Sequence, residues 1–231
     1  MNIYAIGDLH LSGDPPRKPM DIFGERWRGH KEKIKTDWLQ KVSDEDTVII
    51  CGDISWAMNL REAQQDLTWL AALPGRKILL RGNHDYWWDS MQKMQNLYGN
   101  AFDFLQNNCY ETEAAVICGT RGWTLPSVET FTEEDEKIYA REGIRLELSL
   151  KSAQQRFPSL PQIVALHYPP LFKSGERNLF TELLEKYQVQ HCVFGHIHGE
   201  NCEHVFEGVS NEVNYKLVSC DTQNFSLCKI L

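Results

Sequence analysis

Ile3-Tyr4-Ala5-Ile6-Gly7-Asp8-Leu9-His10 is an apolar run that breaks, through one glycine, into an aspartate and a histidine two residues apart. The same device recurs along the chain. Residues 47–51 lead into Gly52-Asp53, residues 77–80 into Gly82-Asn83-His84-Asp85, residues 163–166 into His167, and residues 192–194 into Gly195-His196-Ile197-His198. Short runs rich in β-branched and apolar residues read as strands, and their lack of polar alternation predicts a sheet covered on both faces. Further strands are predicted at 115–118, 215–219 and 225–229. In open α/β sheets, ligands bind beyond the carboxyl ends of the strands. Five strands are therefore expected to deliver Asp, Asn and His side chains to one rim, the glycines allowing tight turns there.

Helical patterns lie between the strands. Asn59-Leu60-Arg61-Glu62 is a capping-box sequence, followed by the stripe Leu60, Ala63, Leu67 and Leu70 and stopped at Pro74-Gly75. Thr132-Glu133-Glu134-Asp135 opens another helix, with carboxylates at the positive end of its dipole and apolar positions Tyr139, Leu146, Leu150, Ala153 and Phe157 on one face. The alternation of strands and helices predicts one α/β domain over residues 1–231. Residues 11–29 and 119–131, each following a strand, are expected to be long loops that shape a substrate pocket.

The residue types at the strand ends suit one chemistry. Carboxylate, imidazole and amide donors without thiolate suit Mn²⁺, Fe or Zn²⁺, with manganese favoured. Asp-x-His and His-x-His are expected to place two donors on the same side of an extended segment. An aspartate with two oxygens can join two cations, and a pair roughly 3.5–4 Å apart can clamp the attacking and leaving oxygens of an in-line displacement. Two divalent cations outweigh Asp8, Asp53 and a bridging hydroxide by one positive charge, which attracts an anionic phosphoester and still lets the product leave. Water supplies the nucleophile, so no Ser or Cys is required.

In that order and spacing, Asp8-x-His10, Gly52-Asp53, Gly82-Asn83-His84-Asp85, His167 and Gly195-His196-x-His198 resemble the calcineurin-like metallophosphoesterases, from residue 6 to 198. The resemblance implies a four-layer αββα sandwich of two mixed β-sheets flanked by helices. It implies one metal held by Asp8, His10 and His198, a second held by Asn83, His167 and His196, and Asp53 bridging them. It also implies that His84 contacts the phosphate and protonates the leaving oxygen, the one catalytic side chain outside the metal set. Asp85 is expected to brace its loop. His30, His191 and His204 carry no partnered motif and are left outside the site, and Cys202 is expected to be a surface or supporting thiol.

Composition narrows the class. The 231 residues carry a net charge of −8 and 42% hydrophobic residues, with mean hydropathy −0.43. An acidic chain argues against tracking a polyanion. No apolar run approaches the roughly 18 residues that span a bilayer. The first motif arrives too early for a secretory leader, so a cytoplasmic location is expected. Seven cysteines without a C-x-x-C pair are expected to be free thiols, mostly buried.

Departures from subfamily patterns narrow it further. Phosphoprotein phosphatases of the superfamily carry Gly-Asp-x-x-Asp-Arg-Gly, whereas this chain has Gly52-Asp53-Ile54-Ser55-Trp56-Ala57-Met58. Lipid A pyrophosphohydrolases usually place Arg where His84 stands, and the repair nucleases add a large DNA-binding portion. The expected reaction is hydrolysis of a small phosphomonoester or phosphodiester, nucleotides among the candidates. A nuclease on single strands and a phosphoprotein phosphatase are the alternatives. Trp56, Tyr86, Trp87, Trp88, Trp123 and Tyr168 are candidates for an aromatic rim against core packing, and Arg17, Arg26, Arg28, Arg121 and Arg177 for a second phosphate contact.

Overall fold

The computed structural model describes residues 1–231. In the first sheet, β1 (Ile3–Ile6), β2 (Thr47–Cys51), β3 (Arg76–Leu80) and β4 (Phe102–Leu105) lie side by side in parallel. A short antiparallel β11 (Cys228–Lys229) edges it at β1. In the second sheet the parallel strands are β6 (Val116–Gly119), β7 (Gln162–Leu166), β8 (His191–Phe194) and β10 (Val213–Leu217). Antiparallel β5 (Cys109–Glu111) and β9 (Gly208–Ser210) form its edges. Both sheets are mixed, and both are flanked by helices.

Side-chain alternation builds the layers. Ile3, Ala5, Ile49, Cys51, Ile78 and Leu80 meet Ile117, Ile163, Ala165 and Val193 in one buried cluster between the sheets. The intervening residues Tyr4, Ile6, Val48, Ile50 and Leu79 pack outward beneath α1 (His30–Lys41), α2 (Leu60–Ala71) and α3 (Met91–Tyr98). Val116, Cys118, Val164, Leu166, Cys192 and Phe194 do the same beneath α4 (Glu133–Arg156) and α5 (Leu179–Lys186). The order is helix, sheet, sheet, helix. A slip of one residue would exchange the two faces of a strand, and here both destinations are already full.

The helix starts follow the caps in the sequence. Asn59 accepts from the Glu62 amide, and Glu62 answers by accepting from Met58 N and from the Asn59 side-chain amide rather than from the Asn59 backbone N–H. Thr132 and Asp135 form a reciprocal capping box. The buried face of α4 includes Tyr139, Leu146, Leu150 and Ala153 as expected, and also Glu142. No helix is long and apolar enough to cross a membrane. All seven cysteines are free, and only Cys202 and Cys228 reach partial exposure.

Three strands had no forecast. β4 is a short run broken by Asp103, which pairs with Arg76 at the sheet edge. β5 and β9 are three-residue edge strands, too short to show a pattern. The strand predicted over 225–229 shrinks to two residues because Asn224 and Phe225 turn with φ of 52° and 62°. The one predicted over 215–219 ends at Leu217, since the next residues cross between the sheets. Val218 donates to Phe194 O at 2.8 Å and accepts from Gly7 N at 2.7 Å, while Ser219 bridges Gly7. That crossing brings the ends of β1 and β8 side by side, and with them Asp8 and His196.

Candidate metal centre

The strand ends are cross-stitched by backbone and carboxylate bonds. Asp8 N donates to Gly52 O and His10 N to Asp53 O, each at 2.9 Å, and Gly195 N donates to His167 O at 3.1 Å. His196 N donates to both Asp8 oxygens, at 3.1 and 3.0 Å. His84 N donates to Asp53 Oδ1 at 2.8 Å. Two glycines make this closeness feasible. A Cβ on Gly82 would stand 2.1 Å from Asp53 Oδ1, and one on Gly195 would stand 2.5 Å from Asp8 Oδ2.

Asp8, His10, Asp53 and His196 adopt φ of 60°, 46°, 51° and 74°. This left-handed conformation is one that non-glycine residues avoid, and each instance costs about 1–3 kcal/mol. The expectation that Asp-x-His and His-x-His lie along extended backbone is therefore corrected. Only His198, at φ −126°, is extended. The donors converge because the chain turns sharply at the end of each strand, so the strain sits where the side chains meet.

They do meet. Asp8, His10 and His198 place donor atoms within 4.8 Å of one another, and so do Asp8, Asp53 and His167. His10 Nε2 and His198 Nε2 are 3.3 Å apart, and His198 Nε2 is 3.5 Å from Asp8 Oδ1. Asp53 Oδ2 lies 3.9 Å from His10 Nε2, while its Oδ1 lies 3.6 Å from His167 Nε2. Asn83 Oδ1 is 2.6 Å from His167 Nε2. The His196 ring lies 5.0 Å from that of His167, centroid to centroid. Thus Asp8 belongs to both three-residue groups, and Asp53 shows one oxygen to each.

This set fits divalent cations. His167 Nδ1 is engaged by Cys51 O at 2.9 Å and His198 Nδ1 by Asp221 Oδ1 at 2.8 Å, which leaves each Nε2 facing the aspartates. His10 Nδ1 is buried without a partner. The charges are also unbalanced. Burial, and then the neighbouring charge of Asp8, push the Asp53 carboxyl above the ordinary carboxylate range. Burial opposes ionisation of Asp8 too, but His198, His167 and His10 outweigh it and hold its carboxyl well below that range. His198 is disfavoured as a cation by burial, yet Asp8 and Asp221 raise it to about 10. His196 falls to about 3, through burial and then His167. Such splitting among crowded groups is what a functional site produces.

His84 lines the same cavity, its ring 5.9 Å from that of His10 and 4.4 Å from that of Trp56. Burial, then His167 and Lys18, lower its affinity for a proton. Asp85 is fully buried, accepting from Ile54 N, Ser55 N and Trp87 Nε1 through one oxygen and from Gly82 N through the other. It braces the loop. His30 Nε2 meets Leu9 O at 3.1 Å beneath the site, and His191 and His204 lie apart from it.

Asp221 was missed. It is buried, its Oδ1 holds His198, and its Oδ2 takes the Arg26 guanidinium and the Gly199 amide. The available signal was its place just after a predicted strand, as with the other site carboxylates.

Over the centre lies a cavity of about 390 Å³, walled by Lys18, Met20, Phe23, Trp27 and Trp56 with His10, Asp53, His84, His196 and His198. The 11–29 loop supplies most of that wall. The 119–131 loop acts from behind: Trp123 packs 5.1 Å from Tyr168, whose ring lies 4.2 Å from His196. Of the aromatic rim, Trp56 stacks on His10 at 4.7 Å and Tyr86 is exposed beside His84. Trp87 and Trp88 belong to the core instead. Trp27 and Phe23 had no motif to mark them. Arg17, Arg28 and Arg177 are paired with Glu62, Glu25 and Glu185, and Arg26 with Asp221. The backbone carbonyl of Arg121 accepts from His167 N and Tyr168 N.

Comparison with known proteins points the same way. The model of the calcineurin-like phosphoesterase family matches residues 1–200. The gene 66 proteins of Mycobacterium phages D29 and L5 are 32% and 33% identical over 109 and 86 residues, or 45% and 36% of this chain. Those stretches span 52% and 40% of the phage proteins, about half their length or less. Among solved structures, the Aquifex aeolicus protein of unknown function AQ665 is similar with TM-score 0.53 at 19% identity, covering 99% of this chain and 95% of that one. The Thermus thermophilus protein TT1561 gives 0.57 at 13%, covering 99% and 97%. At those identities the likeness is one of fold.

Proposed function

The chain belongs to the calcineurin-like phosphoesterase family, which implies metal-dependent phosphoester hydrolysis, and from that premise we propose a binuclear hydrolase of small phosphomonoesters or phosphodiesters. The observation that carries the proposal is Asp53, which turns one oxygen toward His10 and the other toward His167. Asp8, His10 and His198 would hold one cation, Asn83, His167 and His196 the other, and Asp53 would serve both. A donor set of nitrogen and oxygen accommodates manganese, iron or zinc, and manganese is the candidate taken forward. When bound, the cations supply positive charge for the phosphoryl oxygens and water acidic enough to ionise near neutral pH.

The chain's own residues do the rest. His84 is neutral at rest; a phosphoryl anion beside it raises its affinity for a proton, which the ring then passes to the leaving oxygen. Asp53 fixes the His84 backbone at 2.8 Å, so the acid and the cation-holding carboxylate move as one unit. Trp56 stacks on His10, and Trp27 meets His10 edge-on and His198 at a tilt, holding the two rings in one orientation. Phe23, Trp27 and Trp56 give the cavity apolar walls, which supports a planar leaving group such as a nucleoside. The cavity's volume also favours a small ester over a polymer.

A substrate panel tests this. Metal-loaded protein assayed on p-nitrophenyl phosphate, bis-p-nitrophenyl phosphate, nucleotides and single-stranded DNA is expected to hydrolyse small esters and prefer nucleotides. Turnover confined to DNA with a steep salt dependence would make it a nuclease. No gain from a nucleoside over p-nitrophenyl phosphate would remove the stacking role.

A further inference from the structure

A second cavity, of about 450 Å³, opens at the same rim and shares no lining residue with the one above the metal centre. Four arginines face it: Arg81 just after β3, Arg121 just after β6, and Arg141 and Arg145 one turn apart on α4. Its two acidic residues are already engaged. Glu142 is fully buried; its Oε1 accepts from Arg145 at 2.6 Å and lies 3.6 Å from Arg141, and its Oε2 accepts from the Thr120 hydroxyl. Asp89 pairs with Lys93 and accepts from Ser90 N.

One carboxylate therefore serves two arginines, and Arg81 and Arg121 have none within ion-pair reach. Arg81 Nε is shielded from water with no acceptor. Arg121 rests its guanidinium 4.4 Å over the Trp123 ring and makes no ion pair. Burial lowers its affinity for a proton; Glu142 and Tyr168 restore part of it from a distance, and the nearby Arg81 and Arg141 lower it again. Four guanidiniums around one committed carboxylate repel each other, and packing alone gives no reason to gather them. A bound anion does, since planar guanidinium forks match phosphate oxygens in pairs.

The geometry points to this cavity as a binding site for a small anion of the phosphate class. Two sources supply that chemistry: free inorganic phosphate or pyrophosphate, and a second phosphate on the substrate hydrolysed at the metal centre. The site stands independently of the hydrolytic reading. Its occupancy reaches that centre through the chain, because Arg81 lies two residues before Asn83, and Arg121 O holds the amide of His167.

The test is calorimetric titration of the metal-loaded protein with inorganic pyrophosphate in phosphate-free buffer. Wild type and Arg141→Lys are expected to show two classes of site. Arg141→Glu is expected to keep one and to lose the other by at least tenfold in affinity. Arg81→Gln, which leaves the Glu142 pairs intact, is expected to weaken the same class and covers the event that Arg141→Glu fails to fold. Kinetics separates the sources. If KM rises in the variants only for bisphosphorylated substrates, with kcat unchanged, the site reads a distal phosphate; if substrates are unaffected while pyrophosphate binding is lost, it takes the free anion. A single metal-dependent class in wild type, or isotherms unchanged in both variants, overturns the proposal. A protein that proves inactive on every ester leaves this titration intact, so the two readings fail separately.

Discussion

Replacing Asp221 with asparagine removes one charge behind His198 and leaves the size of the side chain alone. The carboxylate has two duties: Oδ1 accepts from His198 Nδ1 at 2.8 Å, and Oδ2 faces Gly199 N at 3.3 Å and the Arg26 guanidinium. An amide cannot perform both. With its oxygen toward His198, its NH₂ group confronts two donors; flipped, it presents a donor to His198 Nδ1 and so places the imidazole proton on Nε2, the nitrogen that faces the aspartates. Losing such an outer partner typically lowers metal affinity about 10–100-fold, or about 1.4–2.7 kcal/mol. One effect opposes this. Asp221 also helps raise His198 to about 10, so the variant's imidazole holds its competing proton less tightly. Near neutral pH the net loss is therefore expected at the lower end, about tenfold, and it should widen as pH rises and proton competition fades. Competition between the protein and a chelating dye for Mn²⁺, at two pH values, reads the change directly. An affinity within twofold of wild type at both, in a variant with an undisturbed melting transition, would refute His198 as a ligand.

Three further outcomes are expected. His84→Ala should retain its metals yet turn over about 10²-fold more slowly, most severely on alkyl esters whose leaving groups need a proton; an equal fold-loss on alkyl and p-nitrophenyl esters, or full activity on both, would remove the acid role. Asp53→Asn should weaken loading at both metal positions, as counted by elemental analysis, whereas loss of one equivalent alone would show that the residue is not shared. Because His198 sits at about 10 in the metal-free fold, it is protonated at neutral pH and cation binding must expel that proton. Metal affinity should thus rise with pH up to that value, and an unbuffered titration should release acid; a pH-independent affinity would contradict the assignment.

The strands that carry the site could be read because both faces of each are buried. Ile3–Ile6 and Thr47–Cys51 are buried at every position, so a window of four or five residues already decides them. The edge strands lack that signal: Cys109–Glu111 has one buried residue of three, and Gly208–Ser210 has none. At the site, the convergence of these side chains was legible and their backbone conformation was not. Asp8 and His10 look like alternate residues of a strand, but their amides donate to Gly52 O and Asp53 O, and these tertiary bonds hold both in left-handed turns. Trp87 and Trp88 sit beside a motif, as Trp56 does, yet face the core, and adjacency in sequence carries no information about that choice. Glu142 falls on the apolar stripe of its helix, between Tyr139 and Leu146, yet its charge reads as solvent-facing until Arg145 and Thr120 are seen around it.

Anomalous diffraction from crystals of manganese-loaded protein bears most directly on the two-cation centre. Two peaks per chain are expected, one among Asp8, His10 and His198 and one among Asn83, His167 and His196, with Asp53 between them. A fully loaded crystal with a single peak, or with peaks away from these side chains, would contradict the account.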